Sequence, residues 1–238
     1  MLVGLIGGTS WESTAEYYRL LNRGVSAQQG QLHSAEFILY NFDFQRLLDL
    51  NQEQVGLALL AAGQALKGGG VQALMLLSNT MHRFASLLEQ GTGLPLIHIA
   101  DAVGREAERM HVHRLGLLGT RFTMEHDFYR QTLAARFGLE TMTPEPVDRA
   151  EVHRIIFEEL CAGRFMDQAR ERCLAMIQNL AAQGAQAVIL GCTELPLLLK
   201  DARASVPLLD TTRLHAESAL QWLTASSTNR VANPTIRG

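Results

Sequence analysis

A chain of 238 residues, 47% hydrophobic and 19% charged, can bury one large core or two small ones without disulfides or a structural metal. The formal net charge of -3, with Lys and Arg scattered singly and densest from Arg164 to Arg172 inside a mixed-charge helix, excludes a nucleic-acid binder. The apolar start meets Gly7-Gly8 far short of signal-peptide or membrane length, which argues for a cytoplasmic protein with no membrane role, and three widely spaced cysteines are expected to stay reduced.

Short aliphatic runs alternate with longer helical stretches, the pattern of parallel sheets covered by helices, so the fold class is α/β. Strands are predicted at 2–6, 35–40, 73–77, 96–99, 114–118, 187–190 and 208–209, and seven is a minimum. Gly4-Leu5-Ile6-Gly7-Gly8 follows a strand but has neither the dinucleotide fingerprint nor a Walker sequence, so no nucleotide is expected there. Gly68-Gly69-Gly70 is a helix stop ahead of the third strand. His111 and His113 lack a third ligand and read as a surface turn, so no metal is expected. Cys161 and Cys173 fall in or beside the helical stretches 154–160 and 167–182 and read as packing residues. The polar, Pro-containing stretch 227–238 predicts a disordered tail.

Self-comparison exposes a repeat. Gly4-Leu5-Ile6-Gly7-Gly8-Thr9 with Tyr18-Arg19 recurs as Gly116-Leu117-Leu118-Gly119-Thr120 with Tyr129-Arg130. The run Gly70 to Ser78 recurs as Gly184 to Cys192, matching Gln72 to Gln186 and Ser78 to Cys192, and Pro95-Leu96-Ile97 recurs as Pro207-Leu208-Leu209. Three segments thus return in order at a separation of 111 to 114 residues, beyond what two generic βα units share. The repeat predicts two similar α/β domains, 1–100 with 210–226 and 101–209, the final helix packing back on the first. Ligands of open parallel sheets bind beyond the carboxyl ends of the strands, so Ser78 and Cys192 should face each other across an interdomain cleft.

Inverting a carbon centre without a cofactor needs one group to take a proton from one face and another to deliver one to the opposite face. A thiol suits this, with a pKa of about 8.5 that a helix N-terminus lowers, and Cys192 precedes the short helix of Leu195-Pro196. A buried free Cys is otherwise simply a small hydrophobe. Asn79, Thr80 and Thr193 offer donors for a substrate carboxylate, and Thr9, Ser10 and Thr120 would complete the ring of donors or cap helices. His82, four residues past Ser78, reads as a helix-surface histidine.

The segments Gly7-Gly8-Thr9-Ser10-Trp11-Glu12-Ser13-Thr14, Ser78-Asn79-Thr80-Met81-His82 and Gly191-Cys192-Thr193-Glu194 resemble the aspartate/glutamate racemase superfamily, from about Gly4 to about Ala219. The resemblance implies a two-domain fold with a pseudo-two-fold axis, no cofactor, a homodimer, and an acidic amino acid as small-molecule substrate. Most members carry Cys at both catalytic positions, whereas the first is Ser78 here, as in the subgroup associated with L-aspartate and L-glutamate. A serine hydroxyl is a poor base unless a neighbour activates it. The resemblance therefore implies that Cys192 removes the proton from the L-enantiomer and that Ser78, or water held by it, supplies one to the other face. Glu194 would raise the Cys192 pKa, accept its proton or grip the substrate ammonium. Some relatives hold the distal carboxylate with a Lys at the position of Cys161; here the cations nearest by sequence are Arg46, Arg121 and Arg164. Two other readings stay open: a single-thiol decarboxylase or isomerase, and a non-catalytic small-carboxylate-binding protein.

Overall fold

The structure is a computed structural model and describes residues 1–224, so the stretch 227–238 read as a tail lies outside the described residues. The first half of the chain runs β1 (Val3–Gly7), α1 (Trp11–Gln29), β2 (Phe37–Asn41), α2 (Phe44–Leu48), α3 (Gln52–Gly68), β3 (Ala73–Leu76), a 3₁₀ helix (Thr80–Phe84), α4 (Ala85–Thr92) and β4 (Leu96–Ile97). The second runs α5 (Ile99–Arg109), β5 (Arg114–Gly119), α6 (Arg121–Glu125), α7 (Asp127–Phe137), β6 (Glu140–Met142) and α8 (Pro146–Arg154). A π turn (Ile155–Glu159) and a 3₁₀ turn (Leu160–Ala162) lead to α9 (Asp167–Ala182), β7 (Ala187–Gly191), α10 (Leu195–Leu198), β8 (Leu208–Asp210) and α11 (Thr211–Thr224).

Each half forms a four-stranded, wholly parallel sheet, ordered β2-β1-β3-β4 and β6-β5-β7-β8. The seven strands read from the sequence are all present. The eighth, β6, is a three-residue edge strand paired only with β5, too short for an alternating pattern to register.

The repeated residues do repeated work. The Gln72 side-chain oxygen accepts from the Leu2 N–H at 3.2 Å, and that of Gln186 accepts from the His113 and Arg114 N–H groups at 2.7 and 3.0 Å. Each therefore ties the lead into its sheet's first strand to the strand beside it. A Cβ on Gly4 would sit 3.0 to 3.2 Å from Val71, Leu74 and Leu66, and one on Gly116 would meet Val188 and Leu180 at 2.9 and 3.0 Å. Matching helices thus pack on matching bare spots of the two sheets.

The core of the second half is continuous, from Leu115, Leu117 and Ile189 in the sheet to Val103, Tyr129, Ile155 and Ile177 on its helices. Burying each such aliphatic side chain contributes about 1.5–3 kcal/mol. The first sheet has a cluster on either face. One joins Val3, Leu5 and Met75 to α1 and to Ala216, Ala219 and Leu220 of α11; the other joins Ile6, Leu74 and Leu76 to α3 and α4. The last helix thus returns to the first sheet, where α1 and α11 meet closely enough that a Cβ on Gly24 would fall 2.3 Å from Leu220.

Gly7-Gly8 has a packing explanation. Gly8 has φ +90, and a Cβ there would lie 2.2 Å from the Phe42 carbonyl oxygen as that backbone crosses the end of β1. Gly70, at φ +84, turns the chain from α3 into β3. His111 is exposed at φ 55 in the turn before β5, and His113 is exposed beside it. Among the described residues no helix is long and apolar enough to cross a membrane.

Candidate active site

Ser78 and Cys192 follow the carboxyl ends of β3 and β7, the strands beside the first strand of each sheet, and both line one cleft of about 210 Å³. Its volume is below the about 300–1,000 Å³ of sites for drug-sized ligands. Thr9, Asn79, Thr80, Thr120, Thr193 and Glu194 share its wall. Ser10 does not. Its hydroxyl caps α1, accepting from the Ser13 N–H at 3.2 Å and facing Glu12 at 3.3 Å.

Cys192 is 8% exposed and Glu194 4%. The thiol donates to Glu194 Oε2 at 3.0 Å, and the Thr193 hydroxyl donates to the same oxygen at 2.8 Å. Burial pushes the Cys192 pKa well above its ordinary value, and the charge and hydrogen bond of Glu194 push it further; the Glu194 backbone N–H opposes them. The expectation of a thiol lowered by a helix N-terminus is thus overturned. α10 is four residues long, and its dipole is outweighed by desolvation and an adjacent carboxylate.

Two buried acceptors on this wall have no protein partner, Glu194 Oε1 and Asn79 Oδ1. The Asn79 amide group donates to Thr211 Oγ1 at 2.9 Å, and that hydroxyl donates to the Leu190 carbonyl at 2.8 Å, which fixes the amide with its oxygen away from Thr211. The hydroxyls of Thr80, Thr120 and Thr123 form a triangle with 3.1 Å sides that joins the two halves. Thr80 and Thr120 therefore bond mainly to each other and to Thr123.

His82 is buried, contrary to the surface position read from the sequence. The Ile99 N–H donates to its Nε2 at 3.1 Å, so the proton is on Nδ1, which donates to the Ser78 carbonyl at 2.7 Å. Desolvation and the neighbouring His98 hold its pKa well below the ordinary value, in keeping with that neutral tautomer. His82 thereby anchors the backbone of Ser78, whose hydroxyl bonds to no other described residue.

Cys161 lines the cleft as well as packing, its thiol pushed up to about 12 by burial and by Glu194, while Cys173 is a core residue. The cations nearest by sequence lie elsewhere: Arg46 faces Asp43 at 3.5 Å, Arg121 is exposed, and Arg164 donates to the Glu158 carbonyl. The cation on the wall is Arg83, inconspicuous in sequence because one Arg beside an aromatic residue carries no pattern. Beyond the strand ends the wall is apolar, with Leu47, Leu50, Val55, Ile156 and Phe157.

Residues 6–219 match the family described as Asp/Glu/Hydantoin racemase. A crystal structure of a candidate Asp/Glu racemase from Yersinia pestis is 44% identical, covering 93% of this chain and 98% of that one, with a TM-score of 0.87. An aspartate racemase homologue from Pyrococcus horikoshii OT3 is 32% identical over the same shares, with a TM-score of 0.80. The broad specificity amino-acid racemase RacX of Bacillus subtilis (strain 168) is 22% identical over 174 residues, 72% of this chain and 73% of that protein. With the duplicated sheets and the cleft between their strand ends, these likenesses show that the chain belongs to the Asp/Glu/Hydantoin racemase family, a family of isomerases.

Proposed function

We propose that the protein interconverts the enantiomers of aspartate, glutamate or both without a cofactor, with Cys192 removing the α-proton of the L-enantiomer and Ser78, or a water on it, protonating the opposite face. The observation that carries this reading is the hydrogen-bonded Cys192–Glu194 pair at the end of β7, sharing one cleft with Ser78 at the end of β3. In this mechanism Glu194 takes the thiol proton, and the sulfur then takes the α-proton of the substrate. The bond electrons pass into the α-carboxylate and return to the α-carbon as a proton from the Ser78 side completes the new C–H bond; Glu194 then gives up its proton to solvent as solvent restores the one lost on the Ser78 side. The partnerless oxygens of Glu194 and Asn79 suit the substrate ammonium, whose three donors would satisfy both. The α-carboxylate falls to donors at the starts of the 3₁₀ helix and α10, near Asn79, Thr80 and Thr193, with Thr9 on the same wall.

The domains in this proposal are 1–100 with 210–226 and 101–209, supported by the two sheets and by the packing of α11 on the first. We further propose a homodimer working in the cytoplasm. Three cysteines that pair in no disulfide, and the exposure of Trp11, Tyr18, Leu39 and Tyr40, the last two on edge strand β2, support this.

The first test is incubation of each enantiomer of aspartate and glutamate in deuterium oxide, following α-hydrogen exchange and enantiomer content. Exchange with inversion that disappears in Cys192→Ala is expected, with additional exchange that retains configuration on the L side, where the thiolate and not the weaker base, serine, takes the proton. No exchange with any of the four would refute the reading. A single thiol also favours a second reading, decarboxylation or isomerisation with one proton donor; the same spectra would then show substrate loss without its enantiomer.

A further inference from the structure

We propose that Arg83 sets the substrate class of this site, its guanidinium holding the side-chain carboxylate of a dicarboxylic amino acid whose α-carbon lies against Cys192. The inference rests on the racemase reading and names the group that would make it selective.

Among the described residues lining the cleft, Arg83 is the sole Lys or Arg. Elsewhere arginines are commonly engaged: Arg109 with Glu106, Arg136 with Asp101, Arg149 with Glu125 and Arg213 with Glu217, each between 2.8 and 3.1 Å. Arg83 makes no hydrogen bond or ion pair with any described residue, although it is half-buried and its Nε is shielded from solvent. A shielded guanidinium donor without an acceptor carries an unrecovered desolvation cost, which an anionic ligand would remove. Burial lowers the Arg83 pKa from its ordinary value, yet an arginine remains cationic at neutral pH.

Two aromatic rings hold the guanidinium in place. Its central carbon lies 4.7 Å from the ring centre of Phe84 and 5.6 Å from that of Phe122, one from each half of the molecule. A planar donor fixed between rings has little rotamer freedom left to lose on binding, and its fork matches a carboxylate. The opposite environment reinforces the choice. A charged side chain on Leu47, Leu50, Val55, Ile156 or Phe157 would be unpaired, so Arg83 is where a second carboxylate finds compensation. Arg83 also lies five residues after Ser78, in the 3₁₀ helix that starts at Thr80, so a short stretch of chain sets the spacing of the two.

The test compares acids with their amides, which share the α-carboxylate and differ only in the distal group. Deuterium exchange and calorimetric binding would be measured for L-glutamate against L-glutamine and L-aspartate against L-asparagine, with wild type, Arg83→Met and Arg83→Lys. Selectivity for the acid in at least one pair is expected. In Arg83→Met that ratio should fall roughly 10- to 100-fold, as for a lost hydrogen bond between charged groups, and Arg83→Lys should recover part of it. An unchanged ratio, or equal loss for acid and amide, would overturn the proposal, the second outcome putting Arg83 on the α-carboxylate. If no exchange occurs in wild type, the racemase reading fails, and the binding ratios alone decide on Arg83. Acid-selective binding that Arg83→Met abolishes would sustain it; its absence in both pairs would end it.

Discussion

In the proposed mechanism a thiol kept protonated by its surroundings needs a partner to take its proton, and the Glu194 carboxylate, 3.0 Å from Cys192 Sγ, would be that partner. Burial is the largest cause of the raised pKa and Glu194 the next, so Glu194→Gln should bring the Cys192 pKa down while leaving it above that of a free thiol. The pH profile of iodoacetamide labelling of Cys192 should accordingly move to lower pH. Racemisation should nevertheless fall roughly 10²- to 10⁴-fold, the usual range for loss of a proton-transfer group. An unmoved labelling profile would mean that burial alone sets the thiol. Cys192 and Ser78 are legible in the sequence because the repeat aligns them, and Glu194 because it adjoins the thiol. Arg83 and His82 are not. The role of His82 depends on the Ile99 N–H and the Ser78 carbonyl, which meet around it only once β3 and β4 are paired. The orphaned oxygens of Asn79 and Glu194 are likewise properties of packing, since both residue types are ordinarily satisfied by water or neighbours.

Among the elements, the regular ones are legible in the sequence and the irregular ones are not. Parallel strands buried on both faces announce themselves as aliphatic runs, whereas β6 has only Glu140, Thr141 and Met142. The stretch 154–160 is helical, as its sequence predicts, but with a π turn at Ile155–Glu159. A π turn shifts the angular position of the residues after it, and Ile156, Phe157 and Cys161 all reach the cleft wall, which a 3.6-residue period does not foretell. The loop after β1 offers a sharp test. Gly8→Ala puts a methyl against the Phe42 backbone at positive φ and should cost about 3 kcal/mol or more, seen as a lower urea midpoint. Gly68→Ala, at the end of α3 with open space around it, should be neutral or stabilise by up to about 1 kcal/mol in the same assay.

For the whole molecule, duplication makes the architecture legible before any side chain is placed: segments recurring in order imply sheets of the same order. What it conceals is how the halves are joined. His82, His98 and His215 meet where they join, with ring centres 4.6 Å apart for His82–His98 and 5.4 Å for His82–His215. Burial holds all three neutral, lowering His98 and His215 to about 3 and His82 well below its ordinary value. The unfolded chain, with histidine pKa values of about 6.5, binds more protons below that pH, so the contribution is full above about 6.5 and is lost as pH falls toward 3. Unfolding free energy measured by urea titration from pH 7 to 4 should therefore drop. His215→Gln, less stable at pH 7, should show a shallower drop by about one proton's slope. The same cluster has a mechanical side. The chain crosses between the halves twice, from β4 to α5 and from β8 to α11, and His215 Nε2 donates to the Ile97 carbonyl at 2.7 Å, fastening one crossing to the other. Two fastened crossings define a line, and a body held along a line keeps one rotation, like a book cover on its spine. Any opening about that line would part Ser78 from Cys192 along a single arc, and would first have to break the hydroxyl triangle of Thr80, Thr120 and Thr123 away from the spine.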